Sequence, residues 1–158
     1  MAASDDEFFV YMGEGGDSAP LEVVRVRVDP SVTSIPACAF EGRKKLAEVE
    51  LCEGLVEIGE GAFRFCDHSI TTINIPNSLR RINEHAFHDS LRCPIRLHDD
   101  IESIGKGAFA GCIFTNFRVP PLITVIPNNT LSNCKALFSL ELTKNISEIK
   151  GWALTFCY

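Results

Sequence analysis

An isoleucine recurs along this chain at a nearly constant interval, and other apolar residues keep fixed distances from it. The isoleucines are Ile35, Ile58, Ile82, Ile104, Ile126 and Ile149, each 22 to 24 residues from the next. Five residues after each of them stands a large apolar residue, at Phe40, Phe63, Phe87, Phe109, Leu131 and Leu154. Periods of this size are typical of solenoids, in which each repeat buries its apolar residues against its neighbours.

An alternating apolar pair precedes each isoleucine and predicts a β-strand with one buried face. The pairs are Val26/Val28, Val49/Leu51, Ile73/Ile75, Ile95/Leu97, Phe117/Val119 and Leu140/Leu142. Turn-forming residues such as Pro30 and Gly54 follow these strands and indicate a corner. Beyond the isoleucine, one helical turn would direct the next large apolar side chain toward the same core. We therefore predict six similar coils whose apolar residues stack in ladders.

Two stretches of the chain give the repeated motif in full. Residues Ile73 to Phe87 read INIPNSLRRINEHAF, and residues Ile101 to Cys112 read IESIGKGAFAGC. This pattern closely resembles the BspA-like leucine-rich repeats. The resemblance extends over about Val23 to Cys157 and includes all six repeats, and it is specific because several positions recur together.

The resemblance implies a fold and a role. The fold is a leucine-rich-repeat solenoid, a right-handed superhelix with one parallel β-sheet on its concave face and short helical or irregular segments on its convex face. The usual role is protein interaction or cell-surface adhesion, with no catalytic residues. Arg43 and Ser90 stand where the family pattern has cysteine.

The first twenty residues differ from the repeats in their charge. They contain five acidic residues and no Lys or Arg, and the whole chain has a net charge of -6. We expect residues 1–20 to form an acidic, disordered lead, in which residues 7–11 fold back as a short cap strand. Residues 21–158 are expected to form a single domain of six leucine-rich repeats.

Charge and hydrophobicity narrow the classes of partner. Because the repeats are nearly neutral, we do not expect the protein to bind nucleic acid. No apolar stretch approaches the roughly 18 to 20 residues that span a bilayer, so no membrane association is expected. The first residues lack the basic and apolar regions of a signal peptide, which predicts a cytoplasmic protein. A secreted or cell-surface adhesin-like protein is the alternative.

Seven cysteines and four histidines raise the question of chemistry. Four of the cysteines lie three residues after the large apolar position, which indicates core packing: Cys66, Cys112, Cys134 and Cys157. No Cys-x-x-Cys pair, phosphate-binding loop or nucleophile motif is present, so we predict no metal site, no cofactor and no enzyme activity. A cysteine-dependent enzyme is a further alternative, which thiol-reactive labelling of the folded protein would decide.

Residues that alternate with the buried strand positions should line the open, concave face of the sheet. Neighbouring repeats offer three ion pairs there, Arg25 with Glu48, Arg27 with Glu50 and Arg118 with Glu141. Arg96 beside Arg118 is a like-charge contact, which is unfavourable unless a partner compensates it. We hypothesise that Arg96, His98 and Arg118 mark a patch for an acidic protein partner, with Asn74 and Asn116 at its rim. A solvated face without a partner is the alternative, because aromatic residues are missing there.

The last repeat has no polar capping unit after Leu154. We expect its apolar end to be exposed, which favours either self-association or a longer repeat array. Together these features predict a non-catalytic intracellular protein-interaction module, a scaffold that binds a protein partner on its concave face.

Overall fold

The computed structural model describes residues 7–13, 16 and 18–157, which wind as a parallel β-solenoid. Its strands are β1 (Phe9–Tyr11), β2 (Arg25–Val28), β3 (Ser34–Ile35), β4 (Glu48–Glu50), β5 (Glu57–Ile58), β6 (Thr72–Ile73), β7 (Arg81–Ile82), β8 (Ser103–Ile104), β9 (Asn116–Arg118), β10 (Val125–Ile126), β11 (Ser139–Glu141) and β12 (Glu148–Ile149). No helix occurs in this described part of the chain. Residues 1–6, 14, 15 and 17 of the expected disordered lead lie outside it.

The strands form two columns along the solenoid, because most coils contribute one strand to each column. The first column contains β1, β2, β4 and β6, followed by β9 and β11. Its outward face is the one that the family resemblance assigns to the concave side, and we call it the concave face. The second column contains β3, β5, β7 and β8, followed by β10 and β12. All paired strands are parallel. The repeats are numbered 1 to 6 by their isoleucines, from Ile35 to Ile149.

The isoleucines of the second column form a ladder through the core. Ile35 is in register with Ile58, Ile58 with Ile82, and Ile82 with Ile104. The first three side chains are fully buried, and Ile104 is 7% exposed. This ladder confirms the predicted leucine-rich-repeat solenoid.

A stack of phenylalanine rings runs parallel to the isoleucine ladder. The ring centroids are 5.0 Å apart for Phe40 and Phe63, 5.3 Å for Phe63 and Phe87, and 5.7 Å for Phe87 and Phe109. Each of these side chains is fully buried. Such near-parallel stacks add to the free energy that comes from burying roughly 150 to 250 Å² per ring.

The structure refines the family expectation in two details. In place of one continuous sheet, the first column is interrupted on both sides of repeat 4, whose segment forms no strand, and the second column is interrupted between β8 and β10. Of the two forms expected for the convex segments, helical or irregular, the described residues have the irregular one, as hydrogen-bonded turns.

Left-handed backbone conformations explain why the convex turns do not grow into helices. One such residue lies three positions after each isoleucine: Cys38, Gly61, His85, Gly107, Asn129 and Trp152, with φ from 53° to 64°. A second lies two positions after each large apolar residue: Gly42, Phe65, Asp89, Gly111, Asn133 and Phe156. A right-handed helix needs negative φ at successive residues, so each positive φ ends the turn.

The two ends of the solenoid differ. At the first repeat, β1 pairs in parallel with β2, and the Tyr11 ring lies 4.9 Å from Phe40 in an edge-on contact. Arg43, which replaces the usual cysteine, donates hydrogen bonds of 3.1 Å and 2.9 Å to the carbonyl of Ala19. At the last repeat, the ladder residue Ile149 is 45% exposed.

Candidate partner-binding site

On the amino-terminal half of the concave face, the charges neutralise each other. Arg25 Nε lies 2.7 Å from Glu48 Oε2, and Arg27 Nε lies 2.5 Å from Glu50 Oε2, as the sequence predicts. Both guanidinium groups also lie over the ring of Phe8, at 4.4 Å and 4.3 Å from its centroid. Among the described residues, this half of the face therefore offers a partner no uncompensated cation.

Asn74 is engaged by the preceding repeat rather than free to bind a partner. Its Oδ1 accepts a 2.7 Å hydrogen bond from the backbone N–H of Leu51, and its Nδ2 donates a 2.8 Å bond to the Leu51 carbonyl. The side chain thus replaces a missing backbone pair at the end of the first-column ladder. We assign it a structural role.

His98 also holds the backbone in place. Its Nε2 lies 3.0 Å from the carbonyl of Pro76, and its Nδ1 accepts a 3.3 Å hydrogen bond from the N–H of Asp100. The neutral tautomer with the proton on Nε2 satisfies both contacts. His98 therefore fixes the corner after the first-column segment of repeat 4.

Arg118 lies between two carboxylates. Its Nη1 is 2.6 Å from Asp99 Oδ1, and its Nε is 3.7 Å from Glu141 Oε1. The hydrogen bond to Asp99 raises the pKa of the guanidinium, and the nearby charges act in the same direction. The predicted pair with Glu141 is confirmed, but the closer partner is Asp99. Asp99 lies at the corner that follows the first-column segment of repeat 4, outside the strand positions.

Arg96 is the predicted site residue whose charge is uncompensated. It is exposed, and it makes no hydrogen bond or ion pair with any residue in the described ranges. It lines an open groove of about 510 Å³ together with Pro94, Ile95, Leu97, Asn116, Phe117, Arg118, Ser139 and Glu141. The structure therefore brings Arg96, Arg118 and Asn116 together, and it leaves Asn74 and His98 outside the groove lining.

The groove lies at the interruption between repeats 4 and 5. In the described chain, residues 93–98 make no backbone hydrogen bond to β9, and β9 pairs only with β11. The backbone bonds that join these repeats lie on the convex side, such as Gly107 N–H to the carbonyl of Asn128 at 3.0 Å. We call this opening, lined by residues 94–97 and β9, the seam.

Two features of the sequence account for the seam. Pro94 occupies the first strand position of repeat 4 and cannot donate a backbone hydrogen bond to a ladder. Phe117 fills a strand position that holds valine or isoleucine in repeats 1 to 4. Its ring packs 5.1 Å from Phe109 and 5.5 Å from Phe114. Phe117 and Phe114 thus add two rings to the core next to β9, which does not pair with repeat 4.

The cysteines after the large apolar positions form a ladder of thiol hydrogen bonds. Each thiol donates to the carbonyl of the large apolar residue in the preceding repeat, as in Cys112 Sγ to Phe87 at 3.1 Å and Cys134 Sγ to Phe109 at 3.1 Å. Ser90 takes the same role with the carbonyl of Phe63. Burial raises the pKa of Cys66 to about 11 and that of Cys112 to about 12, so these thiols stay protonated and unreactive near neutral pH.

Two further properties bear on the choice of function. Within the described ranges, no three or more His, Cys, Asp or Glu residues are grouped as metal ligands would be. The same residues contain no helix with the length and apolar character needed to cross a bilayer.

Comparisons with solved structures identify leucine-rich-repeat neighbours. The chain is similar to a leucine-rich repeat protein from Bacteroides ovatus, with 29% identity and a TM-score of 0.65 over 78% of this chain. The match spans only 38% of that protein's length. It is also similar in fold to the leucine-rich repeat protein of T. pallidum, with 21% identity and a TM-score of 0.63 over 93% of this chain and 80% of the other. No curated protein matches the chain.

The family comparison covers nearly the whole chain. The model of the BspA type leucine-rich repeat region matches six copies, within residues 20–93 and 64–158. These ranges contain every isoleucine of the core ladder and every residue of the groove. The chain belongs to the BspA-type leucine-rich repeat family.

Proposed function

We propose that the protein is a non-catalytic interaction module that binds an acidic segment of a protein partner in the groove of repeats 4 to 6. The single observation that carries this proposal is the uncompensated, exposed guanidinium of Arg96 inside a concave groove. A carboxylate from a partner would form a charge-assisted hydrogen bond with it, which is stronger than a neutral one. Asn116 lies in the same groove and offers a further donor.

The proposal places the module in the cytoplasm. All seven cysteines are free thiols, and four of them act as hydrogen-bond donors within the ladder of the core. Free thiols persist in reducing compartments, whereas oxidising ones favour disulfides. Protease treatment of intact source cells tests this placement, because a surface adhesin would be digested and a cytoplasmic protein would not.

The binding proposal is tested by quantitative affinity capture from a lysate of the source cells. Arg96→Glu should lose the proteins that the wild type captures, because it replaces the uncompensated cation with an anion. Lys106→Glu is the matched control, since Lys106 is exposed in the same repeat but lies outside the groove. If Arg96→Glu retains every captured protein, the proposal is wrong.

A second interaction is favoured by the exposed face of the last repeat. Leu142 and Ile149 are 43% and 45% exposed, although the corresponding residues of repeats 1 to 5 are buried or half-buried. We propose that this face associates with a second copy of the chain. Light scattering should show a concentration-dependent dimer that Ile149→Lys converts to a monomer, and a wild type that stays monomeric at all concentrations contradicts this.

A further inference from the structure

We propose that the seam accepts an extended, acidic peptide segment as an added β-strand, so that the partner pairs through its backbone as well as through Arg96. This inference rests on the proposed function, because it assigns a binding geometry to the same groove. Strand addition to an open sheet edge is a recurring mode of peptide recognition, in which backbone hydrogen bonds supply affinity.

The open edge belongs to β9. On one side, the Thr115 carbonyl accepts from Ser139 N–H at 3.1 Å, and Val119 N–H donates to the Glu141 carbonyl at 3.0 Å. Successive residues of a parallel strand direct their backbone groups to opposite edges. The N–H and C=O groups of Asn116 therefore face the seam, where no described residue bonds to them.

The opposite wall of the seam also lacks a ladder. Among the described residues, Ile95, Arg96 and Leu97 form no backbone hydrogen bond with either neighbouring repeat. Their side chains nevertheless keep the alternation of a strand, since Ile95 and Leu97 are 5% and 7% exposed while Arg96 is exposed. Two strand-like edges thus face one groove, with the core closed beneath them.

The charges in the seam indicate what kind of strand fits. Arg118 is already compensated by Asp99 and lies near Glu141, whereas Arg96 has no ion pair within the described chain. Outward side chains of an added strand would lie beside Arg96, because neighbouring strands are about 4.8 Å apart. In a segment that alternates apolar and acidic residues, the apolar side chains can pack on Ile95, Leu97 and Phe117, and the acidic ones can pair with Arg96.

The test uses NMR titration of the labelled protein with capped hexapeptides. One peptide alternates valine and glutamate, a second alternates valine and lysine, and two more are valine–glutamate peptides N-methylated on either alternate set of amides. We expect the unmodified valine–glutamate peptide to shift and protect the amides of residues 95–97 and 116–118. N-methylation of at least one set should lower its affinity about tenfold or more, the effect of losing one or two hydrogen bonds.

Two variants separate backbone pairing from charge. Asn116→Pro removes the N–H that faces the seam but keeps the hydrogen bonds between β9 and β11. We expect the variant to fold, because repeat 4 already has a proline, Pro94, at the same position. It should weaken the valine–glutamate peptide about tenfold, whereas Lys106→Glu should not. Arg96→Glu should reverse the preference in favour of the valine–lysine peptide.

The outcomes distinguish this inference from the proposed function. If both N-methylated peptides bind as tightly as the parent, strand addition is wrong, while a loss of captured partners with Arg96→Glu would still support the groove as a binding site. If the valine–glutamate peptide does not bind, or shifts amides outside the seam, the inference is overturned. If Arg96→Glu changes neither the set of captured proteins nor the preference between the two peptides, the proposed function and this inference are both overturned.

Discussion

Arg118 of repeat 5 reaches across the seam and places its Nη1 2.6 Å from Oδ1 of Asp99 in repeat 4. This ion pair joins two repeats at a point where their backbones are not hydrogen-bonded. It also removes Arg118 from competition for a partner's carboxylate, so Arg96 remains the available cation.

Asp99→Asn should release Arg118 into the groove. Because exposed ion pairs contribute only about 0 to 1 kcal/mol, the free energy of unfolding should fall by less than about 1 kcal/mol. Affinity for the valine–glutamate peptide should rise, since two guanidinium groups would then be available. Denaturant unfolding and peptide titration measure the two effects. If the variant instead binds the peptide more weakly, Asp99 orders the groove and does not compete with the peptide for Arg118.

The phenylalanine stack should carry a large share of the stability. Phe63→Ala is expected to lower the free energy of unfolding by about 3 to 5 kcal/mol, because it leaves a cavity between the rings of Phe40 and Phe87. Phe65→Ala is the control, since Phe65 is 41% exposed two residues away, and it should cost less than about 1 kcal/mol. If thermal and urea unfolding show equal losses of stability for Phe63→Ala and Phe65→Ala, the buried phenylalanine stack is contradicted.

Gly59 lies where one coil passes close to the backbone of the preceding coil. A Cβ atom there would stand 2.6 Å from the carbonyl oxygen of Ile35 and 2.8 Å from the backbone nitrogen of Ala37. Gly59→Ala should therefore destabilise the protein by about 1 to 3 kcal/mol, as overpacking does. At Gly151 the nearest atom is Asn128 Nδ2 at 3.5 Å, so Gly151→Ala should be nearly neutral. Urea unfolding that ranks the two variants in the opposite order would refute this packing.

The buried thiols should make stability fall in alkaline solution. Burial raises the pKa of Cys112 from 9.0 to about 12, so the thiol stays protonated in the folded state while the unfolded chain ionises above pH 9. The contribution of this protonated thiol to the free energy of unfolding is complete below pH 9. It is lost between pH 9 and about 12, at up to about 1.4 kcal/mol per pH unit.

Cys112→Ser isolates this effect, because Ser90 already fills the equivalent position of repeat 3. The urea midpoint of the variant should decline less steeply between pH 8 and about 10.5 than that of the wild type. Identical slopes would mean that Cys112 does not titrate differently in the folded and unfolded states.

The core was predictable because its residues repeat. The positions of Ile58 and Phe63 recur in every coil with the same neighbours, so spacing alone predicts which side chains stack. The left-handed turns were not predictable in this way, since Cys38, His85 and Trp152 differ in every property except their backbone conformation.

The candidate site was predicted less completely, for two reasons. Comparison of residues within one column placed Arg96 beside Arg118 but missed Asp99, which reaches Arg118 from a corner. The same comparison treated Asn74 as a surface residue, although its side-chain amide is hydrogen-bonded to the backbone N–H and carbonyl of Leu51. Pro94 was the available signal for the seam, because proline at a ladder position predicts a missing bond.

Amide hydrogen exchange of the free protein, measured residue by residue, tests the central claim that the ladder is open between repeats 4 and 5. The amides of residues 95–97 and of Asn116 should exchange rapidly, because nothing in the described chain accepts their hydrogen bonds. The amides that join β2 to β4 should be protected under the same conditions. Equal protection in both places would show a continuous sheet, and the seam, the exposed edge and the strand that it is proposed to bind would all be contradicted.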